Sequence, residues 1–275
     1  RNCLVGSEMC IRDRYLIDTH THLYVDAFDT DQKEVIERAM AVGVNYFIIP
    51  AIDSSYIKRM YALEKRYPKH VSLMAGLHPC HVKENMEEEL EKVFTQLKTR
   101  SFCAIGEIGI DLYWDKSFLK QQQKAFSKQI EWAKQYELPI VIHCREAFDQ
   151  VFEVLDQHRS PKLFGVFHCF TGTLIQAKQA IDLNFKLGIG GVVTYKNGKI
   201  DKFLHELPLE SIVLETDSPY LSPKPHRGKR NESSYLPLIL DKIAECYELS
   251  LEEVAAKTTE NVLQVFKTEN FKIKK

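Results

Sequence analysis

The sequence contains no Cys-x-x-Cys pair, and its seven cysteines are an odd number. In a chain this large the thiols read as reduced, in a cytosol-like compartment, so a cytoplasmic location is expected. No apolar stretch approaches the roughly 20 residues needed to span a bilayer, and no membrane partner is expected. A Ser/Gly-rich linker, a low-complexity run and an internal repeat are all absent, so nothing marks a second domain. Charge of one sign is lacking too: 37 Lys+Arg stand against 38 Asp+Glu. That argues against a protein that coats nucleic acid electrostatically and leaves any contact with phosphates to a local patch. The first residues, RNCLVGSEMCIRDR, do not begin with Met and hold no apolar stretch suited to a signal peptide. Residues 1–14 are therefore set apart as a disordered or artefactual leader and 268–275 as a basic tail, around one domain spanning 15–267.

What is present is alternation. Hydrophobic residues make up 44% of the chain, enough to fill a sizeable core. Short, nearly continuous apolar runs lie at 16–19, 44–49, 71–77, 103–107, 140–143, 165–168, 185–189 and 212–215, as expected of strands buried on both faces. Helix-like stretches separate or follow them at 31–42, 54–67, 85–100, 117–137, 147–158, 173–182, 200–206, 234–247 and 251–267. The first ends at Gly43, a plausible residue just past a helix end, and the second stops before Pro68. Eight strands alternating with helices predict a parallel α/β sheet, either doubly wound or closed into a (β/α)8 TIM barrel.

The polar residues choose between these. The apolar runs end in His20-Thr21-His22, His78-Pro79, Glu107, His143, His168 and Glu215-Thr216-Asp217. A closed barrel gathers the C-terminal ends of its strands at one mouth, where active sites lie; an open sheet would not bring the ends of strands 1, 4, 5, 6 and 8 into one small volume. Taken singly, His143 or His168 reads as a hydrogen-bonded structural histidine. Glu107 inside an apolar run is different, because a buried carboxylate needs a positive partner or a metal. Four histidines and two carboxylates at one end point to a metal site made of His20, His22, Glu107, His143, His168 and Asp217. Six ligands exceed what one four-coordinate ion uses, so two divalent ions sharing a carboxylate are expected, with Glu107 the candidate bridge. Mixed imidazole and carboxylate donors suit zinc, manganese or cobalt.

The stretches IDTHTH (17–22), GLHP (76–79), GEIGID (106–111), VIHCREA (141–147), HCFTG (168–172), LETDSPYL (214–221) and GKRNES (228–233) closely resemble the motifs of the TatD family of metal-dependent deoxyribonucleases, part of the amidohydrolase-like barrels. The resemblance runs from about 16 to 266. It implies that His20, His22, Glu107 and Asp217 hold one ion and that Glu107, His143 and His168 hold the other. It also implies magnesium as a further candidate metal, and phosphodiester hydrolysis, commonly as a 3′-to-5′ exonuclease on DNA. Two positions depart from the pattern: Cys80 stands where many relatives carry a second His, and Ser233 where relatives often carry Pro, a change expected to loosen its loop.

In the expected mechanism Glu107 and Asp217 are the catalytic carboxylates, Asp217 acting as general base and then acid. His78, Arg145, Arg227 and Arg230 are candidates to bind substrate, with Lys229 beside the last two; the alternative for the 227–230 loop is a solvated charge run. Asp18 and Glu215 share strand parity with the ligands and are candidates to steer an imidazole. Cys103, Cys144 and Cys169 read as small core residues, and His70, His158, His205 and His226 as surface or structural. DNA is the expected partner, as substrate, and the protein is expected to act as a monomer. Two rivals remain: a deacylase or esterase working through the same two ions, for example on aminoacyl-tRNA, and a non-catalytic scaffold, which would commonly have lost ligands.

Overall fold

Eight parallel strands, paired in strict chain order, form the centre of the protein in a computed structural model that describes residues 15–266. The strands are β1 (Leu16–Asp18), β2 (Val44–Ile49), β3 (Val71–Ala75), β4 (Ala104–Asp111), β5 (Ile140–Arg145), β6 (Gly165–Phe167), β7 (Phe185–Ile189) and β8 (Ile212–Leu214). Around them lie α1 (Gln32–Ala41), α2 (Ile57–Arg66), α3 (Met86–Thr99), α4 (Leu119–Tyr136), α5 (Phe148–Gln157), α6 (Leu174–Asp182), α7 (Leu236–Tyr247) and α8 (Leu251–Val265). The sheet curls into a (β/α)8 TIM barrel. The expected leader and tail lie outside the described residues.

The barrel closes at a seam of hydrogen bonds. Thr19 donates from both its amide and its hydroxyl to the Leu214 carbonyl, at 3.1 and 2.9 Å. The Asp217 amide reaches the His20 carbonyl at 2.9 Å, and an isolated bridge joins Thr21 to Ser218. Asp18 ties the same edges together, accepting from the Thr216 amide and hydroxyl at 2.9 and 2.6 Å.

Two apolar layers hold the hoop. The larger packs the outer strand faces against the helices, for instance Val151 and Leu155 of α5 and Ile239, Leu240 and Ile243 of α7. The smaller gathers Ile17, Tyr46, Ile48, Met74, Val141, Val166 and Val213 with Val262, Val265 and Phe266, so that the end of α8 packs against one end of the barrel interior. Local signals agree with this arrangement. Gly43 takes φ +91° just past α1, and capping boxes, Thr173 with Gln176 and Ser250 with Glu253, start α6 and α8. One expected helix is not α-helical: 200–206 forms the short 3-10 turns Ile200–Lys202 and Leu204–Glu206, a stretch too short to repay helix nucleation.

Two strand features aim the site. Ile105 pairs with Ile140 and Ile108 with Ile142, so β4 carries one more residue than β5 over that step. Such a bulge shifts which face later residues address, and Glu107 and Asp111 turn to the same side. Gly109, at φ +136°, lets β4 run on beside His143: a Cβ there would lie 2.1 Å from the His143 carbonyl oxygen.

Candidate metal centre

Glu107 is buried at the mouth and its two oxygens face different imidazoles. Oε1 lies 2.7 Å from Nδ1 of His143, 2.8 Å from Nε2 of His168 and 3.1 Å from Nε2 of His78. Oε2 lies 3.0 Å from Nε2 of His20 and 3.6 Å from Nε2 of His22. Asp217 completes the second side, its Oδ1 3.5 Å from Nε2 of His22 and 3.9 Å from Nε2 of His20. The structure therefore brings His20, His22, Glu107, His143, His168 and Asp217 together, from within β4 and β5 and from just past the ends of β1, β6 and β8.

The electrostatics fit a cation. Burial favours the neutral acid at Glu107, but His168, His78, His20 and His143 outweigh it and hold the carboxyl well below its usual range. At Asp217 burial is likewise outweighed, by a hydrogen bond from His22 and by His168 and His20. The rings of His20 and His168 stack with centroids 3.9 Å apart, and burial and then the charge of His168 push His20 down. His20 Nδ1 is also buried without a hydrogen-bond partner. His20, His22 and Asp217 present donor atoms within 4.8 Å of one another, and so do His78, Glu107 and His143. Imidazole and carboxylate donors so arranged suit a divalent metal.

His78 sits closer to the centre than a substrate contact on an outer loop requires. Its Nδ1 accepts the Cys80 amide proton at 3.0 Å, which leaves the hydrogen on Nε2, facing Glu107. Burial lowers its pKa to about 4, so it is a neutral donor near pH 7.

Asp111 was not singled out by the sequence reading. Its Oδ2 lies 2.8 Å from Nε2 of His143, the carboxylate–imidazole pairing that orients a metal-binding histidine. Burial opposes its charge, yet the His143 bond outweighs it and lowers Asp111 to about 2. The available signal was its spacing of four from Glu107 along one strand. Of the two residues expected to steer an imidazole, Glu215 lies 3.5 Å from Nδ1 of His168 and accepts the Cys169 amide. Asp18 does not take that role. It bonds Thr216 and the His20 amide, and burial raises it to about 7.

The cationic residues divide. Arg145 is exposed at the end of β5 with its guanidinium 3.7 Å over the Tyr113 ring, and Arg227 is exposed over Tyr195 at 4.1 Å. Arg230 departs from expectation: it forms a double hydrogen bond to Asp31 at 2.7 and 2.6 Å and packs over Phe28, joining the loop after β8 to the start of α1. Ser233 also departs from expectation. It is buried, with its hydroxyl 3.3 Å from that of Thr21, and so ties its loop to the barrel instead of loosening it.

A (β/α)8 barrel with imidazoles and carboxylates gathered over the C-terminal rim is the architecture of a metal-dependent hydrolase. The chain belongs to the TatD-related DNase family, whose profile matches residues 17–267. It is 39% identical over 253 residues to YabD of Bacillus subtilis (strain 168), an uncharacterized metal-dependent hydrolase, covering 92% of this chain and 99% of YabD. The crystal structure of YjjV, a TatD homolog from Escherichia coli K12, superposes with a TM-score of 0.87 at 31% identity, over 93% of this chain and 98% of that one. A TatD family hydrolase from Entamoeba histolytica, at 22% identity and a TM-score of 0.80, shares the fold over 92% of this chain and 98% of its own.

Proposed function

We propose that this protein is a metal-dependent deoxyribonuclease that hydrolyses phosphodiester bonds from a 3′ end of DNA. The observation that carries the reading is the division of Glu107, one oxygen toward His20 and His22 and the other toward His143 and His168. A carboxylate so placed suits a bridge between two divalent ions, with His20, His22 and Asp217 holding one and His143 and His168 the other. Zinc, magnesium or manganese would supply Lewis acidity there, polarising a phosphoryl oxygen and making water a better acid.

The chain's own groups do the rest. Asp217, kept ionised by His22, accepts a proton from the attacking water and returns it to the leaving oxygen. The Nε2–H of His78, a neutral donor, holds Glu107 Oε1 in place from the edge of the centre where substrate would enter. Arg145 and Arg227 stand exposed beyond the centre and bind the phosphates of the strand. The free thiols of Cys80, Cys103, Cys144, Cys169 and Cys246 support a cytoplasmic setting, and no helix among the described residues is long and apolar enough to cross a membrane.

The test is to incubate metal-reconstituted protein with end-labelled single- and double-stranded DNA, RNA and aminoacyl-tRNA. Stepwise shortening of DNA from its 3′ end is expected. Release of amino acid from aminoacyl-tRNA with DNA left intact would replace this reading by a deacylase on the same centre.

A further inference from the structure

Past the end of β4 the chain presents two large aromatic rings to solvent, Tyr113 at 48% and Trp114 at 71% exposure. Their ring planes meet at 87° with centroids 4.8 Å apart, so they form a corner. The Arg145 guanidinium, from the neighbouring strand end, lies 3.7 Å from the Tyr113 centroid and 5.4 Å from that of Trp114. Among the described residues Arg145 forms no ion pair with a carboxylate. Two exposed ring faces beside a guanidinium offer a flat, anionic ligand both an apolar platform and a positive charge.

The corner is held in register with the metal centre by one side chain. Asp111 accepts the amides of Tyr113 and Trp114 on Oδ1, at 2.9 and 3.2 Å, while its Oδ2 holds His143 at 2.8 Å. The Leu112 amide also bonds the Arg145 carbonyl at 3.0 Å. The loop therefore cannot shift without disturbing a ligand of the site.

We infer that Tyr113, Trp114 and Arg145 form a stacking subsite that receives a nucleobase of the strand being cut, the indole carrying the base and the guanidinium the adjoining phosphate. Every base has a π-face, so such a platform recognises single-stranded polynucleotide without reading its sequence. A base lying on the indole would meet Tyr113 edge-on. Asp111 is its positioning residue. This inference rests on the deoxyribonuclease reading above.

The experiment compares two 5′-labelled deoxyadenosine 12-mers, one intact and one with its two 3′-terminal nucleotides abasic, as substrates of metal-reconstituted wild type, W114F and W114A. Wild type is expected to show a KM about tenfold lower for the intact strand, the size of one lost stacked base. W114F should keep most of that preference, and W114A should treat the two strands alike. In a second measurement deoxyadenosine monophosphate should quench the emission of wild type while deoxyribose 5-phosphate does not. The other tryptophan, Trp132, is buried against Phe94 and provides the baseline seen in W114F. Equal KM values in wild type, or a preference retained by W114A, would overturn the stacking subsite while leaving the nuclease standing. Failure of wild type to cut either strand would remove the nuclease reading and this subsite with it.

Discussion

Asp111 lies 2.8 Å from Nε2 of His143 and so leaves the other ring nitrogen, Nδ1, facing Glu107 at 2.7 Å. An ion held by Nδ1 would need the ring proton on Nε2, where Asp111 accepts it. Asp111→Asn puts an amide donor in reach of Nε2 and reverses the tautomer. Metal affinity, measured by competition with a chromophoric chelator, should fall about 10- to 100-fold, the usual effect of losing a partner behind a metal-binding histidine. An unchanged affinity would show that His143 is oriented by other contacts.

Glu107→Gln should be more damaging. The substitution removes the one charge that faces His20, His143 and His168 together. Turnover should drop by more than about a hundredfold, beyond the range for an outer partner. Metal content per chain, read by elemental analysis after dialysis, should drop with it. A variant that retains its full metal complement would contradict the bridging role.

Asp217→Asn tests proton transfer once metal content per chain, measured alongside, matches wild type, because Asp217 is also placed to hold an ion. Circular dichroism should be unchanged and kcat should fall by about a hundred- to ten-thousand-fold, the span of a general acid–base group. Near wild-type turnover would assign the proton to another acceptor.

Acid stability follows from the cluster that joins the loop after β8 to α1. Glu232 binds Arg38 at 2.7 Å, and Asp31 is gripped by Arg230. Burial raises Glu232, but Arg38 and the Ser234 hydroxyl outweigh it; at Asp31 the Arg230 bond is the leading cause, and both carboxyls are held below their ordinary values. A depressed folded pKa stabilises at pH above the unfolded value, roughly 4 for these groups, and that contribution is lost as pH falls through the folded value. The stabilisation from this cluster should thus be constant above about pH 5 and shrink below about 4. In Glu232→Gln the melting temperature should start lower and decline less; parallel curves would mean that the pair does not contribute.

Gly188 leaves room for a buried acid. A Cβ there would lie 2.1 Å from Oε2 of Glu215. Gly188→Ala should therefore cost about 1–3 kcal/mol in urea unfolding, the range for crowding a packed interior. An unshifted midpoint would mean that Glu215 can swing aside freely.

The barrel was legible because its strands announce themselves as apolar runs and its ligands stand where the runs stop. On β5, β6 and β8 the alternation continues unbroken from Val141 to His143, Val166 to His168 and Val213 to Glu215. β4 hid more. Its apolar run was read as ending at Glu107, so Asp111 fell in a loop, whereas the bulge and Gly109 carry the strand on to Asp111 beside Arg145. Asp18 and Glu215 look equivalent by parity, and only the closed seam separates them, because Asp18 finds Thr216 across it. Arg230 shows the other limit. A basic loop reads as a phosphate clamp until a partner far away in the chain, Asp31, is folded against it.

The seam between β1 and β8 has one more implication. His20 and His22 stand on one side of it and Asp217 on the other, where an isolated bridge and a few side-chain bonds replace a regular ladder. An ion bound by all three would rivet the first strand to the last, closing the hoop across almost two hundred residues of chain. Loading the centre would then tighten a seam the hydrogen bonds already close, and a chelator should lower the stability of the whole circle instead of emptying a passive cup.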